Sequence, residues 1–206
     1  MSSTATIADA AAAVGNGGVI VYPTETLYGL GVDAGDARAL QRLFSLKGRD
    51  ASSGVSVLVE TLDAAVFLIE GEPPPGARAL ADAFWPGPLT LVVRAAKSVD
   101  AALRGPSGGV GLRCSSDPVC GHLLAAAGRP LTSTSANLTG RRPATTVAEA
   151  RAYFGDRVDC YLDDGPRSAA VASTVVEFLD GSAYLRRSGA IPADRISAIV
   201  PISTEG

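Results

Sequence analysis

The chain has 206 residues, of which 47% are apolar and 19% charged, with a formal net charge of −3. That is enough apolar material for one full domain with a sizeable core and too much for a disordered chain. A net charge so close to zero excludes an all-over polyanion binder, and no apolar run approaches the roughly 18 residues that span a bilayer.

The opening Met1-Ser2-Ser3-Thr4-Ala5-Thr6 lacks a basic stretch followed by an apolar one, so no signal peptide and a cytoplasmic location are expected. Ile7 to Val14 reads as a helix ending at Gly15-Asn16-Gly17-Gly18, and Val19 to Tyr22 as a short strand stopped by Pro23. Asp36 can cap a helix whose apolar positions Ala37, Leu40, Leu43 and Phe44 recur at helical spacing and which runs into Lys47-Gly48-Arg49. Val55 to Val59 is expected as a strand, Ala77 to Phe84 as a helix, then Leu89 to Val93 and Val110 to Arg113 as strands. Asp117-Pro118 opens a helix that Gly128 closes, and Thr146-Val147-Ala148-Glu149 is a capping box for another closed by Gly155. Strands near Val158 to Leu162, Thr174 to Phe178 and Ala183 to Arg186 finish the sheet, and a mobile loop near a site is expected from Gly165 to Val171. The alternation of helix and strand predicts an α/β class, and the loops are too short for domain linkers, so residues 1–206 are expected as a single domain.

Cys114, Cys120 and Cys160 have no paired spacing and read as free thiols of a reducing compartment. Cys120-Gly121-His122 lacks the CxxC pair or second histidine of a tetrahedral set, so no metal site built from protein side chains is expected. His122, the single histidine, falls mid-helix among leucines and alanines. It is expected to pack within that helix, and a Ser-His-Asp triad is excluded. Neither a GxxxxGK[ST] loop nor a GxGxxG after a strand is present, so any nucleotide must be held in another way.

Three segments stand out. In Thr24-Glu25-Thr26-Leu27-Tyr28-Gly29-Leu30-Gly31, an extended backbone would put Thr24, Thr26 and Tyr28 on one face as a polar pocket wall. Gly29 and Gly31 would leave room for a ligand, although an ordinary strand of β-formers reads the same way. Lys47 and Arg49 can neutralise phosphate charge, or simply face the negative end of a helix. Ser133, Ser135 and Asn137 alternate after a strand and would again share a face, or form a Ser/Asn turn. Arg141-Arg142 and Arg186-Arg187 add local positive charge that could line the same cleft or sit in solvent.

With Phe84-Trp85-Pro86-Gly87-Pro88-Leu89-Thr90, Gly111-Leu112-Arg113 and Ser173-Thr174-Val175-Val176, these segments come in an order that resembles the YrdC-type threonylcarbamoyl-AMP synthase family, short form, over residues 17–189. The resemblance implies a twisted, open mixed sheet with flanking helices and a large concave cleft. It implies that L-threonine, bicarbonate and ATP, with Mg²⁺, give threonylcarbamoyl-AMP and pyrophosphate. Downstream threonylcarbamoyl-transferase proteins would carry the group to adenosine 37 of tRNA, and tRNA itself is a candidate contact. Carried over residue by residue, Lys47, Arg49, Ser135 and Asn137 are the catalytic set. Thr26, Arg113, Ser133 and Ser173, completed by Thr24 and Tyr28, are the L-threonine set, with Arg113 partnering the carboxylate. Lys47, Arg49, Ser53, Ser135, Asn137 and Arg187 are the nucleotide set. The chain departs from the family pattern at Asp50, which stands for a Pro, and at Leu58, which stands where a threonine-contacting His often sits. Ala172 and Ser188 likewise replace a common Glu and Pro. An RNA-binding module without chemistry and a relative that transfers a different carbamoyl group are the alternatives.

Overall fold

The computed structural model describes residues 5–48, 54–168 and 171–203. Helix α1 (Ile7–Gly15) begins where the Thr6 hydroxyl accepts from Asp9 N and the Asp9 carboxylate accepts from Thr6 N, a reciprocal cap. Strands β1 (Ile20–Pro23) and β2 (Tyr28–Gly31) form an antiparallel hairpin. Helix α2 (Ala37–Lys47) starts on Asp36, which accepts from Arg38 N and Ala39 N, and ends on Gly48 at φ 58°, where glycine takes the left-handed conformation without strain. There follow β3 (Ser56–Leu58), α3 (Pro75–Phe84), β4 (Leu89–Arg94), β5 (Gly109–Arg113), α4 (Pro118–Ala127) and β6 (Leu131–Ser135). The chain continues through α5 (Val147–Phe154), β7 (Cys160–Tyr161), β8 (Thr174–Leu179), β9 (Ser182–Arg187), α6 (Ala193–Ser197) and β10 (Ile202–Ser203).

The helices and strands read from sequence all form, with ends displaced by no more than two residues. Two expectations are corrected. Thr24 to Leu27 is not extended but a tight turn. Thr24 N donates to Leu27 O at 3.0 Å, and the Thr24 hydroxyl donates to the same carbonyl at 2.7 Å while accepting from Thr26 N and Leu27 N. A threonine hydroxyl that can satisfy local backbone groups favours the turn over a ladder. The capping box of α5 is also displaced. Thr146 accepts from Glu149 N, but the Glu149 carboxylate accepts from Thr145 N and Thr145 Oγ1. Helix α6 and strand β10 were not legible, since five and two residues carry no period.

Among the described residues, ten strands form one open mixed sheet in the order β10-β9-β8-β4-β5-β3-β6-β2-β1-β7. Strand alternation divides its two faces. One face, with Val19, Val21, Val57, Leu91, Leu112 and Val176, is covered by α2, α3 and α5 through Leu40, Leu43, Leu80 and Phe154. The other is closed at one end only. There Ile20, Tyr22, Leu58 and Leu131 pack under α1 and α4 through Ala10, Val14, Cys120 and Leu123. Beyond the reach of those helices the same face is left open.

The glycines of β2 owe their identity to this second core. A Cβ on Gly31 would lie 2.7 Å from Tyr22 Cε1 and 3.2 Å from Thr132 O, and one on Gly29 would lie 3.0 Å from Tyr22 Cζ. The Tyr22 ring, whose hydroxyl donates to Thr132 O at 2.9 Å, fills the space beside both glycines; Gly29 also lines the open cleft, while Gly31 does not. His122 is also corrected: it is exposed on α4 rather than packed. The three thiols are buried and unpaired, and burial pushes the Cys120 thiol up to about 12, which makes it inert at neutral pH.

Gly31→Ala is expected to lower stability by about 1–3 kcal/mol through this clash. In a Tyr22→Leu background, itself destabilised, the further cost of Gly31→Ala should shrink. Urea unfolding midpoints check both; an unshifted midpoint in Gly31→Ala would contradict the packing.

Candidate active site

The open part of the sheet face is a cleft of about 380 Å³. Strand parity explains which side chains enter it. Gly109, Gly111 and Arg113 of β5 alternate onto this face, opposite Val92 and Thr90 of β4, with Thr90 paired to Arg113 and Val92 to Gly111. Ser133 of β6 lies opposite Ser56 of β3, and Ser135 follows two residues on. Leu58 and Leu131 have the same parity as Ser56 and Ser133, but they fall under α1 and α4 and are fully buried in apolar packing. The position where the family often carries a histidine is therefore core and not cleft wall in this chain.

Two walls meet at Arg113, which is 8% exposed. Its Nη2 donates to Thr26 Oγ1 at 2.9 Å and lies 3.0 Å from Glu25 Oε1. Its Nε is buried with no hydrogen-bond partner among the described residues. An unmet buried donor on a guanidinium costs roughly 1–3 kcal/mol. Across the cleft, Ser173 Oγ is 2.9 Å from Thr90 Oγ1 and accepts from Arg187 Nη2 at 3.0 Å, while Arg187 Nε donates to Ser173 O at 3.0 Å. Partial burial first, and the like charge of Arg113 second, hold the Arg187 guanidinium below the usual arginine range. Two cations thus share one cleft, whose described walls carry hydroxyls and glycine backbone but no carboxylate or imidazole.

Lys47 is 3% exposed at the end of α2. Its amine donates to Ser135 O at 2.5 Å, Asn137 O at 3.1 Å and Asn137 Oδ1 at 3.3 Å. Ser135 Oγ donates to Asn137 Oδ1 at 2.6 Å, and Asn137 Nδ2 donates to Leu138 O and Arg141 O. Asn137 has left β6 and sits in the following turn, so it does not share a strand face with Ser133 and Ser135. Of the set, Ser133 and Ser135 line the cleft, while Lys47 and Asn137 stand behind Ser135 and fix it.

Thr24, Thr26 and Tyr28 all reach the cleft, by a turn rather than by one strand face. Burial raises the Tyr28 phenol, whose hydroxyl donates to Gly165 O at 2.8 Å and accepts from Asp164 N at 3.2 Å. Arg167, 5.6 Å from the Tyr28 ring centre, pairs with Asp117 at 3.0 Å, and residues 169 and 170 of the expected loop lie outside the described residues. Arg186 faces away, paired with Glu177 at 2.6 Å, and Arg141 and Arg142 are exposed outside the cleft walls. Arg49 and Ser53 lie outside the described residues. Sequence reading missed Ser56, Thr90, Val92 and the Gly54 and Gly105 approach. Only strand register reveals the first three, and a Cβ on Gly54 would lie 2.7 Å from Gly105 N.

An open α/β sheet with a cationic, hydroxyl-lined cleft suits a protein that holds and orients a small anionic substrate. The Sua5/YciO/YrdC family model, described as telomere recombination, matches residues 12–189, and the chain belongs to this family. A Mycobacterium tuberculosis relative is 38% identical over 199 residues, covering 95% of this chain and 89% of its own. The threonylcarbamoyl-AMP synthase of Halorhodospira halophila is 39% identical over 178 residues, covering 86% of this chain and 92% of that protein. The crystal structure of Pyrococcus abyssi Sua5 complexed with L-threonine superposes with a TM-score of 0.89 at 30% identity. It covers 96% of this chain, which spans 58% of the Pyrococcus chain.

Lys47→Met is expected to remove the ammonium from Asn137 O and to leave Ser135 O with only Asn137 N and Asn137 Oδ1 with only the Ser135 hydroxyl, lowering stability by about 1–3 kcal/mol. A thermal melt reads this directly. A melt identical to that of the unaltered protein would mean the amine does not hold this network.

Proposed function

We propose that the chain is an L-threonylcarbamoyladenylate synthase, a nucleotidyltransferase that acts on L-threonine, bicarbonate and ATP. The observation that carries the reading is Arg113, a nearly buried guanidinium beside Thr26 with one donor unmet, in a chain of this family. The named activity of the Halorhodospira relative and the L-threonine complex of the Pyrococcus relative support it.

In this reading the threonine carboxylate lies on Arg113, and the hydroxyls of Thr26, Ser133 and Ser173 face its polar groups, with Thr24 and Tyr28 completing the wall. The unprotonated amine and bicarbonate condense to a carbamate with loss of water. A carbamate oxygen then attacks the α-phosphorus of ATP, the bond to the β-phosphate oxygen breaks, and pyrophosphate leaves. Ser135, backed by Lys47 and Asn137, and Arg187 serve the nucleotide, as would Arg49 and Ser53. A cleft whose described walls carry no carboxylate or imidazole suits a reaction that needs orientation and charge compensation. In this reading Mg²⁺ would enter on the triphosphate as part of the substrate. The product is a mixed anhydride suited to carbamoyl transfer, here to adenosine 37 of tRNA, by downstream transferase proteins in the cytoplasm. Among the described residues, no helix is long and apolar enough to cross a membrane.

Mass spectrometry of the protein with MgATP, bicarbonate and L-threonine is expected to show threonylcarbamoyl-AMP and pyrophosphate, both absent without threonine. Folded protein that binds ATP but gives no product would refute the reading. Arg113→Ala is expected to raise the threonine KM by about 10- to 100-fold, the scale of one charge-assisted contact. An unchanged KM would remove Arg113 from the carboxylate site.

A further inference from the structure

Glu25 stands beside this site but not in it. It belongs to the turn between β1 and β2, immediately before Thr26, and its side chain is 15% exposed. One carboxylate oxygen accepts a short hydrogen bond from Ser115 Oγ. The other lies 3.0 Å from Arg113 Nη2, the nitrogen that also donates to Thr26 Oγ1. Two consecutive residues of one turn therefore grip a single guanidinium nitrogen. Ser115 is itself tied down, its hydroxyl accepting from Asp117 N at 3.2 Å at the start of α4.

We propose that Glu25 is a positioning residue for amino-acid recognition: anchored by Ser115, it braces the Arg113 guanidinium from outside the cleft and so holds the part that lines the cleft toward the substrate carboxylate. The inference rests on the L-threonine reading of the cleft. Three observations favour a brace over a competing occupant. Glu25 does not line the cleft, whereas Arg113 does. The brace is a charge contact without an aligned hydrogen bond to Oε1, and Arg113 Nε is left without a partner among the described residues. The cleft also holds a second guanidinium, Arg187, and no lining carboxylate among the described residues. A cation this buried needs a counter-charge before substrate arrives, and Glu25 supplies it from the rear. Such a site prefers an amino acid with a free carboxylate, since an amide would leave the guanidinium under-compensated on its open side.

Calorimetric titration of L-threonine, L-threonine amide and ATP tests the proposal, on the unaltered chain and on Glu25→Gln, Glu25→Asp, Arg113→Lys and the Glu25→Gln/Arg113→Lys pair. Glu25→Gln keeps the shape but turns either an oxygen or an amide donor toward Arg113, without charge. It is expected to weaken L-threonine binding about tenfold, to leave ATP binding within about twofold, and to shrink the preference for threonine over its amide. Glu25→Asp should fall between. In the Arg113→Lys background the Glu25→Gln loss should largely vanish, because the two act through one contact. Unchanged L-threonine affinity in folded Glu25→Gln, or the same loss in both backgrounds, would overturn the brace. If Glu25→Gln does not fold, Glu25→Asp carries the same comparison. Failure of the unaltered chain to bind L-threonine would overturn the L-threonine reading and the brace with it.

Discussion

A nearly buried guanidinium is the constraint around which this molecule is arranged. Arg113 ends a central strand, so its charge is fixed in the sheet rather than carried on a mobile loop. Desolvating such a group costs several kcal/mol unless charge and hydrogen bonds return. The β1–β2 turn returns part of this through Thr26 and Glu25, and it turns tightly because the Thr24 hydroxyl satisfies its backbone. Arg113 also lines the cleft, so the charge that the turn leaves uncompensated belongs to the site.

The cleft exists because one sheet face is only partly covered. Where α1 and α4 lie over it, strand positions carry Ile20, Tyr22, Leu58 and Leu131. Two residues along the same strands, beyond the helices, positions of identical parity carry Ser56 and Ser133. The polarity of a strand face thus switches within one alternation step, at the edge of the helical cover. Glycines serve both regions, under the Tyr22 ring at Gly29 and Gly31 and against Ser56 and Val92 at Gly111 and Gly109.

Behind the cleft, Lys47 joins two segments far apart in sequence, the end of α2 and the turn after β6. Its amine donates to the backbone of Ser135 and Asn137, which sets the direction of the Ser135 hydroxyl. A lysine so placed acts on the cleft through the serine it holds. The same pattern recurs with Glu25 and Arg113: a group outside the walls orients one inside them.

By itself the sequence determined the α/β class, the capped helices and the apolar strands, because caps, periodicity and breakers act over a few residues. The ordered segments around Thr26, Lys47, Arg113, Ser135 and Ser173 also made the family legible. Tertiary structure alone decided which of those residues share a cleft. Register brought Thr90, Ser56 and Val92 opposite Arg113, Ser133 and Gly111, and no local pattern encodes register between strands so distant in the chain. It likewise decided that Thr24 closes a turn, that Asn137 and Lys47 stand behind Ser135, and that Leu58 is core. Each depends on where a helix or turn lands over a sheet face, a non-local outcome of packing rather than a property of any segment.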